Sequence, residues 1–245
     1  MSLHEGEYEN RLVAFIDILG FSALVQKSEN DALYAEKLFN ALERIRQEVE
    51  HNKKKQTTEN SALEMVQFSD SLVVSLPYTN STSFSIFVMK LNWIQKTLAD
   101  EGILIRGGVS AGKLYHKGTI SYGPAFIRAF NIETALADHP RIVIDPQIMN
   151  LKLLPENEDL VDSKFLMGFH NFEGNRNPIV LEDVDGLYFI NYLYGMYEEE
   201  GIAKKLHNFV LQELESLDSN SLSDSKVIRK LKWTLAYIKS CPWRY

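Results

Sequence analysis

The chain opens on a near-continuous apolar run, Leu12 to Leu19, broken only by Asp17 and bounded by Gly20, which predicts a buried central strand. Phe21 then starts a helical stretch. Leu38, Leu42, Ile45 and Val49 recur at spacings of four, three and four, predicting one amphipathic stripe that runs to about Val49. The polar tract from His51 to Asn60 predicts a loop, with its three lysines at a solvated tip. Two short apolar runs, 62–68 and 72–76, flank Ser69, Asp70 and Ser71, the pattern of a hairpin with Asp70 at its tip and Pro77 at its end. Phe84, Phe87, Leu91, Ile94 and Leu98 give the cleanest helical period, closed at Gly102.

A strand follows over 103–111, with Gly112 and Lys113 leading to a partner strand over 114–121. A helix is expected from Ala125 to about Ala137, and another strand over 140–145. The order β-α-β-β-α-β, then a hairpin partner, a helix and a strand, is that of an α+β protein with a ferredoxin-like split βαβ core. Beyond residue 150 the chain reads as irregular to Gly174, then as a strand over 187–193. Two amphipathic helices follow, carrying Ile202, Leu206, Phe209 and Leu217, and Val227, Leu231, Leu235 and Ile238. The expected organisation is a catalytic domain over 1–150 and a C-terminal strand and two-helix extension over 151–245, because two apolar stripes need a surface to cover.

Composition narrows the function classes. With 245 residues, 45% hydrophobic and 24% charged, the chain is of ordinary globular type. Its formal net charge of −7 argues against a footprint for nucleic acid or anionic membrane, so any bound anion must be held locally. A single cysteine, Cys241, leaves no intramolecular disulfide and no thiolate zinc site, and the six histidines lack ligand spacing. The longest apolar runs are short of a membrane span and the acidic start is unlike a signal peptide, which together suggest a cytoplasmic protein.

The chemistry concentrates at two acids. In a split βαβ core the first strand neighbours the β2–β3 hairpin, so Asp17 and Asp70 are expected within a few ångströms of each other. Hard carboxylate oxygens so placed suit Mg²⁺ or Mn²⁺; separately, Asp17 would serve as a helix cap and Asp70 as a turn acid. The helix N-terminus after Gly20 offers backbone amides beside them, a cradle for phosphate. Arg106, one charge in an apolar strand beside Gly107 and Gly108, is either a ligand contact in a small-residue neighbourhood or half of a structural ion pair with an acid such as Glu64.

The segment Phe15-Ile-Asp-Ile-Leu-Gly-Phe-Ser22 resembles the first metal motif of class III nucleotidyl cyclases, and Phe68-Ser-Asp-Ser71 resembles their second metal hairpin. Ile105-Arg-Gly-Gly-Val-Ser-Ala-Gly112 with Tyr122-Gly-Pro-Ala125 is similar to their next strand and helix entry. Within that class, Asp185-Gly-Leu-Tyr-Phe-Ile-Asn-Tyr-Leu193 and Arg229-Lys-Leu-Lys-Trp-Thr-Leu-Ala236 look most like the pyrimidine cyclases of the Pycsar anti-phage system.

The resemblance implies two Mg²⁺ or Mn²⁺ ions on Asp17, Asp70 and the backbone carbonyl of Ile18. It implies phosphate contacts from the amides around Gly20 and Phe21; Arg106, from its place in the apolar strand, is the candidate catalytic and nucleotide-binding cation. It further implies a nucleoside triphosphate substrate, a head-to-tail homodimer with the active site at its interface, and a separate effector activated by the cyclic nucleotide. Val66 and Ile120 stand where purine cyclases carry base-reading residues, which points to UTP or CTP. Ile127 and Asn131 stand where the class carries its transition-state asparagine and arginine, leaving Arg106 and Arg128 as the nearby charges. A cyclase-like dimer that binds nucleotide without turnover is the alternative reading.

Overall fold

The computed structural model describes residues 6–54, 63–150, 179–193 and 200–240. Strand β1 (Glu9–Ile18) is followed by helices α1 (Phe21–Asn30) and α2 (Ala32–Lys54), the hairpin β2 (Glu64–Phe68) and β3 (Ser71–Pro77), and helix α3 (Ser81–Asp100). Next come β4 (Ile105–Lys117), β5 (Ile120–Tyr122), α4 (Pro124–Leu136), β6 (Ile142–Ile144) and the short α5 (Pro146–Asn150). Strands β7 (Val180–Glu182) and β8 (Tyr188–Ile190) precede α6 (Glu200–Ser216) and α7 (Leu222–Ser240).

The main sheet runs β2-β3-β1-β4-β6-β8-β7, with β5 paired to β4 alone. Each of its first four strands is antiparallel to its neighbour, in the split βαβ order, and β6 adds parallel to β4. The expected α+β architecture is therefore present.

Side-chain alternation along β1 explains its apolar run. Leu12, Ala14, Ile16 and Ile18 enter the core beneath α2 and α3, whereas Val13 and Phe15 pack with Ala125, Ala129 and Phe126 of α4 on the other face. Both faces are covered, so the strand reads as continuously hydrophobic, and parity places Asp17 on the α4 face. By the same parity Ile105 and Val109 of β4 face α2 and α3, and Arg106 and Gly108 face α4.

Some expected boundaries move. The single helix from Phe21 to Val49 is two helices, because Asp31 is extended (φ −138°) and caps the second by accepting from the Leu33 amide at 2.9 Å. Helix α2 continues to Lys54, so the first residues expected in a loop are helical; the rest of that tract, 55–62, and the segment 151–178 lie outside the described residues. Strand β4 does not turn at Gly112 and Lys113 but continues to Lys117, and the reversal falls at Gly118, where φ is +61°. The strand expected over 187–193 shortens to β8, and β7 is an additional partner for it.

The two C-terminal helices bury their stripes against each other, β8 and the end of α3, through Leu206, Val210, Leu231, Tyr237, Ile238, Phe189 and Ala99. Arg141, 1% exposed beside β6, joins this layer to the sheet. Its guanidinium pairs with Asp183 and Asp185 and faces the rings of Trp233 and Phe189 at 5.8 and 6.0 Å. The Trp233 indole also donates to Asp183 at 2.8 Å. No helix among the described residues is long and apolar enough to cross a membrane.

Candidate functional site

Three elements bring charge together at one end of the sheet. Asp17 on β1 lies across the ladder from Ser71 on one side and from Arg106 on the other. The hairpin turn, with Ser69 at φ +55°, places Asp70 beside it, and the Asp70 carbonyl accepts from the Ile18 amide at 2.8 Å. The Arg106 guanidinium lies 3.3 Å from the Asp17 carboxylate and 2.8 Å from that of Glu133 on α4, and donates to the Ala137 carbonyl at 3.4 Å. Arg106 therefore does take carboxylate partners, but they are Asp17 and Glu133. Glu64, on the outer strand β2, instead accepts from the Gly118 amide at 3.3 Å.

Close helix–strand approach makes this contact. A Cβ at Gly108 would sit 2.4 Å from the Ala129 carbonyl oxygen and 2.8 Å from the Glu133 amide, and one at Gly107 would sit 2.7 Å from the Phe15 carbonyl oxygen. The small-residue neighbourhood around Arg106 thus admits α4 and β1 rather than a ligand. Seating α4 there is what delivers Glu133, 3% exposed, to the guanidinium.

Burial dominates the local electrostatics. Burial pushes the Asp17 carboxyl above its ordinary value; the Arg106 hydrogen bond and charge oppose this, and the neighbouring Asp70 charge adds to it. Burial raises the Glu133 carboxyl as well, against the pull of Arg106. Lys230 of α7 belongs to the same cluster. Its ammonium is pushed down by burial and by Arg106, while Asp17, Asp138 and Glu133 act to raise it.

Among the described residues, no three His, Cys, Asp or Glu side chains form a ready metal cage. Asp17 and Asp70 nonetheless fit a hard divalent ion. They are hard oxygen donors, Asp17 near the end of β1 and Asp70 in the adjoining hairpin turn, the donor type that suits such an ion.

Gly20 adopts φ +69° at the start of α1, a helix with no side-chain cap, so the amides entering it at Phe21 are not consumed by one. Gly20 also lines an apolar cavity of about 420 Å³ with Leu24, Tyr34, Phe209, Leu231 and the stem of Lys230. A second cavity of about 400 Å³ adjoins it at Lys230 and is lined by Arg106, Asp138, His139, Lys226, Arg229 and Lys230.

Other expected candidates are otherwise engaged. Arg128 forms a two-point ion pair with Asp145, one contact being 2.8 Å, away from Asp17. Tyr122, at the helix-entry motif, packs on Tyr115 and Tyr8, with ring centroids 5.1 and 5.8 Å away. Val66 packs on the α4 face, and Ile120 and Ile127 are exposed.

Glu133, Lys226, Arg229 and Lys230 were not anticipated. A visible signal existed for the last three: Lys226, Arg229 and Lys230 share one face of α7, apart from its apolar stripe.

No protein-family profile matches the chain, and no curated protein matches it. Solved structures do resemble it. One is the catalytic core of a rhodopsin-guanylyl cyclase with converted specificity, in complex with ATPαS. It is 17% identical, with a TM-score of 0.41, over 60% of this chain and 82% of that one. Another is a bacterial light-regulated adenylyl cyclase, 13% identical, with a TM-score of 0.46, over 83% of this chain and 99% of that one.

Proposed function

We propose that this chain is a nucleotidyl cyclase that converts UTP or CTP to the 3′,5′-cyclic monophosphate and pyrophosphate, as a second-messenger enzyme of anti-phage defence. The observation that carries the reading is the convergence of Asp17 with Asp70 at the strand end that runs into Gly20, where the motif resemblance expects two metal carboxylates and a phosphate cradle.

Asp17, Asp70 and the Ile18 carbonyl would hold two Mg²⁺ or Mn²⁺ ions, which would supply Lewis-acid activation of the attacking hydroxyl and charge neutralisation at the phosphates. The amides at Gly20 and Phe21 would orient phosphate oxygens so that the ribose hydroxyl can attack the α-phosphorus opposite the pyrophosphate leaving group. Arg106 supplies positive charge beside Asp17 and, held by Glu133, keeps its direction.

Residues 1–150 carry this chemistry and 151–245 extend it. A homodimer is supported by apolar side chains left exposed on the hairpin, β5 and α4: Phe68 (83%), Ile120 (57%), Ile127 (59%) and Phe130 (43%). The pyrimidine preference rests on Val66 and Ile120, and the cyclic product acts through a separate effector.

Incubating the protein with each of the four nucleoside triphosphates and Mn²⁺ tests the reading. A cyclic pyrimidine monophosphate is expected, and no cyclic product from any nucleotide refutes it. Arg106→Ala is expected to lower turnover by about 10²-fold or more. Unchanged turnover in a folded variant assigns Arg106 to structural pairing alone. One observation favours a second reading, a dimeric nucleotide-binding protein without turnover: the Arg106 guanidinium is already paired with Asp17 and Glu133 within the protein itself. Nucleotide binding without product would select it.

A further inference from the structure

The charges nearest the candidate site divide into two sets. Arg106 is committed to Asp17 and Glu133, and Arg128 to Asp145. Lys226, Arg229 and Lys230 of α7 form no ion pair among the described residues. Lys226 sits one turn before the adjacent Arg229 and Lys230, and all three converge with Arg106 on the cavity of about 400 Å³, where Asp138 is the one carboxylate in the lining. With Arg106 committed elsewhere, the three cations of α7 face Asp138 alone in the lining, a local excess of positive charge in a chain of net charge −7. Like charges are brought together at a cost unless an anion shares them. The group is confined to a concavity of ligand size rather than spread as a stripe along the surface, so it fits a compact, multiply charged anion better than a duplex or a membrane.

We propose that this pocket binds the polyphosphate of a nucleoside triphosphate, with Lys226, Arg229 and Lys230 as cationic contacts contributed by the C-terminal helix. The nucleotide identity rests on the cyclase reading; the anion site rests on the pocket alone. Lys230 joins the two regions, because it lines the basic cavity and interacts electrostatically with Asp17. An anion seated here lies beside the proposed metal carboxylates. The C-terminal helix thereby supplies positive charge that α4 lacks at Ile127 and Asn131. His139 lines the same pocket and stacks on Trp233 with ring centroids 5.4 Å apart, so the floor of the site is fixed by the latch that holds α7 to the sheet.

Calorimetric titration with inorganic tripolyphosphate, without divalent ions, tests the site. Saturable binding is expected, weakened at least about tenfold in Arg229→Gln/Lys230→Gln and strengthened in Asp138→Asn. Lys226→Gln and Arg229→Gln alter exposed side chains, and thermal melts identify the folded variants, so the pocket can be judged even if loss of Lys230 perturbs α7. Equal affinity of wild type and folded charge-removed variants overturns the proposal. So does equal affinity for orthophosphate and tripolyphosphate. UTP or CTP is expected to displace tripolyphosphate, and failure of both overturns the nucleotide assignment. None of these readouts requires turnover: absence of cyclic product refutes the cyclase reading, whereas absence of tripolyphosphate binding refutes the pocket.

Discussion

On the proposed cyclase reading, Asp17→Asn is expected to lower turnover by about 10³-fold or more, while leaving the protein at least as stable as wild type at neutral pH. Loss of activity follows from removing a charged oxygen donor from a two-carboxylate site. The stability expectation follows from the direction of the titration shift. Burial raises the folded Asp17 carboxyl above 3.8, so the group stabilises the fold when protonated, fully below 3.8. That contribution disappears as pH rises through the raised folded value, and at neutral pH the buried charge is a net cost that asparagine does not carry. Glu133 is shifted in the same direction for the same first reason. Urea unfolding of both proteins across pH checks this. The variant should gain on wild type from 3.8 upward, and a wild type that gains on the variant over that range contradicts the account.

Gly108→Val is expected to destabilise the fold by about 4 kcal/mol or more, among the largest effects available to a single substitution. Even one Cβ would lie 2.4 Å from the Ala129 carbonyl oxygen and 2.8 Å from the Ile132 Cβ, and these belong to a helix that cannot retreat without exposing Ala125 and Ala129. Because the same displacement withdraws Glu133 from Arg106, activity should fall along with stability. An unfolding midpoint near that of wild type would mean that α4 is not seated on this strand.

Local pattern carried much of the architecture. Helix α3 was legible because its apolar positions keep one period over four turns, and β1 because both of its faces are covered. The α1–α2 break was hidden by an apolar stripe that runs through it; the signal was the Asn30-Asp31 pair, whose acid caps the second helix. Gly112 and Lys113 looked like a turn, but a glycine at φ +147° can be absorbed within an extended strand, and β4 continues.

At the candidate site, Asp17, Asp70 and Arg106 could be brought together from topology, since each lies on or beside neighbouring strands. Glu133 and Lys230 could not, because their arrival depends on how closely one helix rests on Gly108 and on how another is fastened by Trp233 and Arg141. Those are packing distances, and no period in the chain encodes them. The paired glycines were visible, yet what fills the space above them is a tertiary fact.

The position of β1 bears on how the molecule forms. This first strand lies between β3 and β4, and its cross-strand contacts span 64 positions from Arg11 to Ser75 and 89 from Asp17 to Arg106. Loops of that length must close before either ladder is rewarded, which predicts slow, high-contact-order folding. During synthesis the acid at position 17 therefore cannot meet its guanidinium until β4 has emerged, so this ion pair waits on both ladders that flank the first strand.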